Sequence, residues 1–119
     1  MNAMIKDRNT LEINGKEISF KSNIETMIEY TDCCIIMLME NDIPDNNVIA
    51  YDASGAKLWD ISSIIELPYN EAYVSLAKTD DSTFSVISYN GVKFTVDLVN
   101  RKIISKSAVL SATRLFAAS

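Results

Sequence analysis

The chain has 119 residues, 48% of them hydrophobic, and a formal net charge of −5. That length supports one domain, and that apolar content excludes a disordered chain. Three scattered glycines, two cysteines and no histidine argue against Gly-rich phosphate loops and remove His-dependent catalysis and four-cysteine zinc sites.

In chain order, Met1-Asn2-Ala3 ahead of Met4 reads as an added remnant outside the fold. The segment Thr10 to Phe20 alternates apolar and polar residues on both sides of Asn14-Gly15. Asn-Gly accepts the positive φ angles of a type I′ turn, so a hairpin is expected there. Ser22-Asn23-Ile24-Glu25 has capping-box spacing, which leaves Met27, Ile28 and Tyr30 open to either a helix or a bent strand. Cys33 to Met39 is the longest apolar run, far short of the roughly 20 residues of a membrane span. It suits a buried strand, in which Cys33 and Cys34 point to opposite faces and cannot pair. They are expected as reduced, buried thiols. With no basic n-region followed by an apolar stretch, the sequence suggests a cytoplasmic protein.

Two strands, Asn47 to Tyr51 and Lys57 to Ile61, flank Asp52-Ala53-Ser54-Gly55. Gly55 can supply the left-handed residue of that turn, and Asp52 can close it through its side chain. Ser62 to Leu67 reads as one helical turn. The second half reads as a four-stranded meander: Ala72 to Lys78, Thr83 to Tyr89, Val92 to Leu98 and Ile103 to Lys106. Its central hairpin turns at Asn90-Gly91. Residues 107–119 form a tail or short helix, leaving 4–106 as a single β domain. The expected class is mainly β, with a β-rich α+β fold as the alternative. About eight short antiparallel strands would form a meander curled into a barrel or sandwich, with one or two short helices.

Charge is unevenly distributed. Between Asn23 and Asp81 twelve acids face two bases, giving −10, while the remainder is +5. Such a segment repels nucleic acid and suits a basic protein partner. Asp42, Asp45, Asp60, Glu66, Glu71, Asp80 and Asp81 are the candidate contacts. Asp42 to Asn47 offers oxygen ligands but lacks EF-hand spacing, so it reads as a surface turn. No catalytic residue, metal site or cofactor is assigned, and neither nucleic acid nor membrane is expected as a partner.

The stretch Asn47 to Ile61, with Tyr51-Asp52, Gly55 and Trp59, resembles the hairpin of quinoprotein-type propeller repeats. A single copy implies hairpin geometry and no cofactor. More broadly, Ile13-Asn14-Gly15-Lys16, the Tyr51 to Trp59 hairpin, Tyr89-Asn90-Gly91 and Lys102-Ile103-Ile104 resemble a family of small bacterial single-domain β proteins. That resemblance implies a shared fold and no chemistry. The leading reading is a non-catalytic protein-binding module, in the form of an immunity protein that neutralises a basic bacterial toxin. The alternatives are a small-ligand or carbohydrate-binding module using Tyr69 and Tyr73, or a self-assembling, phage-associated subunit. The latter would form a homodimer through an edge strand.

Overall fold

The computed structural model describes residues 1–109, and strands dominate them. Eleven strands form three antiparallel sheets. The first sheet contains β1 (Ala3–Lys6), β2 (Thr10–Ile13) and β3 (Lys16–Ser19), in that order. The second is the meander β4 (Ile24–Glu29), β5 (Cys33–Leu38), β6 (Val48–Asp52) and β7 (Lys57–Asp60). The third is the meander β8 (Tyr73–Lys78), β9 (Thr83–Ser88), β10 (Val92–Asp97) and β11 (Lys102–Ala108).

The order in which the sheets stack follows from β5. All six of its residues are buried, which requires cover on both faces of its sheet. Cys33, Ile35 and Met37 join a core with Phe84, Val86, Phe94 and Val96 of the third sheet. The alternate residues Cys34, Ile36 and Leu38 join a second core with Leu11 and Ile13 of the first sheet. The second sheet is therefore the middle layer of three. Trp59 crosses the larger core to stack on Phe84, with ring centroids 5.5 Å apart.

Turn chemistry fixes the hairpins. Asn14 (φ 47°) and Gly15 (φ 90°) are both left-handed, as a type I′ turn requires. The second Asn-Gly behaves differently: only Gly91 takes a positive φ, of 87°. Its N–H donates to Ser88 O at 2.8 Å, so a type I turn is followed by a left-handed glycine in a three-residue loop. At the third hairpin Asp52 Oδ1 accepts from the Ser54 N–H (2.9 Å), the Ser54 hydroxyl (2.7 Å) and the Ala56 N–H (3.0 Å).

Several expectations are corrected. Among the described residues, eleven strands in three packed layers replace the expected eight or so strands curled into a barrel or sandwich, and no sheet closes on itself. Ser22 caps no helix, because residues 24–29 extend as β4 and the Ser22 hydroxyl instead accepts the Glu40 N–H at 2.9 Å. The helical turn after β7 is a 3-10 turn at Ile61–Ser63, and another lies at Pro44–Asn46. Residues 1–3 belong to the fold. Ala3 opens β1, Met1 packs against the smaller core, and Asn14 N donates to Asn2 O at 2.8 Å. Ser107 and Ala108 complete β11, and the rest of the expected C-terminal helix, from residue 110 on, lies outside the described residues. Among the described residues no helix is long and apolar enough to cross a membrane.

Candidate functional site

Strand direction sorts the connections between two ends of the layered sheets. At one end lie the turns around Asn14, Thr31, Ala53, Asp80 and Asn100. At the other lie the β1–β2 turn at 7–9, whose Arg8 O and Asn9 O accept the Ile24 and Phe20 N–H groups, and the connections 20–23, 39–47, 61–72 and 89–91. Cross-strand bonds that extend the ladders within the second and third sheets hold the connections of the second end. Leu38 N donates to Asn47 O (2.8 Å), Met39 N to Asn23 O (2.9 Å) and Tyr89 N to Ala72 O (2.9 Å). Asn46 Oδ1 accepts the Ser62 N–H at 2.9 Å, joining the two 3-10 turns.

Five of the seven acids proposed from sequence converge on this second end: Asp42, Asp45, Asp60, Glu66 and Glu71. Glu40, which sequence reasoning passed over, joins them. Against these stand exposed Arg8, whose carbonyl accepts the Ile24 N–H at 2.7 Å, and Lys21, whose ammonium lies 3.4 Å from Asp42 in an exposed pair of little energetic weight. Asp60 is partly committed to structure. Lys57 pairs with it at 2.7 Å and the Ser62 hydroxyl donates to it at 3.1 Å. The Lys57 bond is the main reason its carboxyl sits below the usual range.

Asp80 and Asp81 separate from the group. They occupy the β8–β9 turn at the opposite end, one full strand away. Asp80 Oδ1 accepts the Ser82 N–H at 2.8 Å, which lowers its carboxyl pKa, so this acid closes a turn in the manner of Asp52. Asp81 lies 3.8 Å from Lys78, which in turn sits over the Tyr30 ring at 4.7 Å.

The aromatic platform expected around Tyr69 and Tyr73 does not form. Tyr69 is 69% exposed, whereas Tyr73 is 2% exposed and faces the larger core, because the register shift between Tyr73 and Ser75 puts it on the same face as Leu76. Burial first, then the nearby carboxylates of Asp45 and Glu71, raise its phenol pKa. Its hydroxyl and Glu71 Oε2 are buried without a hydrogen-bond partner among the described residues. The ring that does join Tyr69 at the acidic end is Tyr89, 75% exposed in the β9–β10 turn. Met39 and Ile43 are also exposed there. Sequence gave little signal for these, since an apolar residue in a short loop reads equally as core.

Between the β3–β4 and β5–β6 connections lies an open groove of about 350 Å³. Phe20 and Leu38 supply its apolar lining, and Lys21, Glu40, Asn41 and Asp42 its polar lining. Elsewhere the chemistry is sparse. Burial pushes the Cys34 thiol up to about 12, and Cys33 is raised for the same reason, so neither is a ready nucleophile. Among the described residues no group of three or more Cys, Asp or Glu side chains is placed to hold a metal ion.

A family model described as "Domain of unknown function (DUF7957)" matches residues 1–107. The chain belongs to that family. None of the curated proteins compared matches it. Among solved structures, the crystal structure of HIRA(644-1017) is similar with a TM-score of 0.57 and 18% identity. The match covers 92% of this chain and 31% of that one, so the chain spans about a third of its length. At that identity the likeness is one of fold.

Proposed function

We propose that this chain is a protein-binding module that receives a basic partner on its acidic end. The observation that carries this reading is a coincidence of place. Glu40, Asp42, Asp45, Asp60, Glu66 and Glu71 share one end of the sheets with exposed Met39, Ile43, Tyr69 and Tyr89. Tyr and Met are enriched at protein interfaces, where a few anchors carry most of the affinity. Surrounding carboxylates would steer a cationic partner and speed its association. Connections held by cross-strand hydrogen bonds are pre-organised and lose little entropy on binding. An immunity protein acting on a basic toxin is one form such a module takes.

The test is capture from lysate of the source cells with wild-type chain and with a Glu40→Lys/Asp42→Lys/Glu66→Lys variant. A basic protein retained by the wild type, eluted by salt and lost from the variant supports the reading. Equal retention by both would refute it.

A second reading, self-association through an edge strand, draws on β11. It lies at the edge of its sheet with every residue exposed, including Ile103 and Ile104. Lys102 and Lys106 along it are the charges that proteins use to discourage edge pairing, so this reading ranks second. Sedimentation at increasing concentration distinguishes it.

A further inference from the structure

The groove beside β3 has a composition that selects among basic side chains. One wall is the β3–β4 connection with Phe20 and Lys21. The other is the start of the β5–β6 connection, with Leu38, Glu40 and Asp42. The walls are fastened to each other: Met39 N donates to Asn23 O at 2.9 Å and Glu40 N to the Ser22 hydroxyl at 2.9 Å. The second wall is braced from behind, where Asn41 Nδ2 donates to Asn46 O at 2.7 Å. Phe20 is held by an edge-on contact with Tyr51, centroids 6.2 Å apart, and its remaining surface lines the groove. The cavity thus exists before any ligand arrives.

We propose that this groove takes an arginine side chain of a basic protein segment, its methylenes on Phe20 and Leu38 and its guanidinium on the Glu40 and Asp42 carboxylates. The proposal rests on the reading of the acidic end as a partner-binding face and names the residue type recognised there. Three features favour arginine. A guanidinium is flat, weakly hydrated and matched to carboxylate geometry, whereas an ammonium is a strongly hydrated point charge. Two carboxylates carried two residues apart on one connection can share the several N–H donors of one guanidinium. The volume, about 350 Å³, is at the lower end of ligand-sized sites and suits one long side chain. Lys21 does not oppose this. Its 3.4 Å contact with Asp42 is exposed on both sides and is exchanged at little cost.

The probe is a blocked Gly-Arg-Gly peptide titrated into the isotopically labelled full chain, read by backbone amide shifts. A one-residue ligand is expected to bind with a Kd on the order of 1 mM. Saturable shifts confined to residues 19–22 and 38–42 support the proposal. The citrulline analogue, equal in shape but neutral, is expected to produce none. The Glu40→Gln/Asp42→Asn variant is expected to bind the arginine peptide about tenfold more weakly, and Asp81→Asn, at the opposite end of the sheets, to bind it unchanged. Equal shifts from the citrulline peptide, or shifts scattered over the whole acidic end, would overturn the proposal. Groove-confined shifts without any protein partner would leave the arginine site standing while the wider reading fell. A partner captured equally well by wild type and by Glu40→Gln/Asp42→Asn would do the reverse.

Discussion

The side-chain amide of Asn47 brackets the backbone of Tyr73. Its Oδ1 accepts the Tyr73 N–H at 3.0 Å and its Nδ2 donates to Tyr73 O at 3.0 Å and to Leu38 O at 2.9 Å. Asn47 is fully buried, so this one amide completes the main-chain pairing where β5 and β8 meet. It also anchors the connections that carry Asp45 and Glu71. Asn47→Ala would leave one N–H and two carbonyls without this partner, at a cost of roughly 3 kcal/mol. Asn47→Asp is expected to be no better, since an ionised carboxylate cannot donate to either carbonyl. Urea unfolding midpoints measure both.

The two Asn-Gly turns should respond differently to the same change. Asn14 is left-handed and its Nδ2 also donates to Ala53 O at 2.8 Å. Asn14→Ala is therefore expected to cost about 1–2 kcal/mol. Asn90 is not left-handed, and Asn90→Ala is expected to stay within about 0.5 kcal/mol of wild type. Equal losses in thermal unfolding would contradict the assigned turn types.

Within the larger core, Phe84 is fully buried and stacked on Trp59. Phe84→Ala removes the ring that joins the second and third sheets and is expected to cost about 3–5 kcal/mol. The readout is the chemical denaturation midpoint. The Trp59 fluorescence spectrum should also shift as the indole loses its partner.

Alkaline stability follows from the thiols. In the unfolded chain a thiol titrates near 9.0, whereas burial holds folded Cys34 near 12. Folding thus favours the protonated form. The contribution is fully present below pH 9 and is lost as pH rises from there through the folded value. Unfolding midpoints measured from pH 7 to 11 should fall over that window, and Cys34→Ala should flatten the fall. Thiol reagents at pH 8 should label both cysteines far more slowly in the folded than in the unfolded chain.

Much of the fold is legible where a local rule decides it. Asn14-Gly15, Asp52 to Gly55 and Tyr89-Asn90-Gly91 mark hairpins because few residues tolerate their backbone angles, and β5 announces burial on both faces by its unbroken apolar run. The hairpin of β1 and β2 was hidden because its left-handed residues are Asp7 (φ 52°) and Arg8 (φ 67°), neither a turn signal of glycine strength. Stacking into three layers was hidden too. An alternating strand states that one face is buried but not which sheet covers it. The site was legible as charge and not as place. Asp80 and Asp81 are only nine and ten positions after Glu71, yet β8 carries the chain roughly 20 Å to the other end. Tyr73, four positions after Tyr69, turns inward because of the register shift at the start of β8.

The measurement that tests the central claim most directly compares two charge reversals in the same partner-capture experiment. One is Glu40→Lys/Asp42→Lys/Glu66→Lys at the acidic end, the other Asp80→Lys/Asp81→Lys at the opposite end. Loss of the basic partner only with the first set is the expected result. Loss only with the second, or capture that ignores both, would contradict the assignment of the acidic end as the binding face.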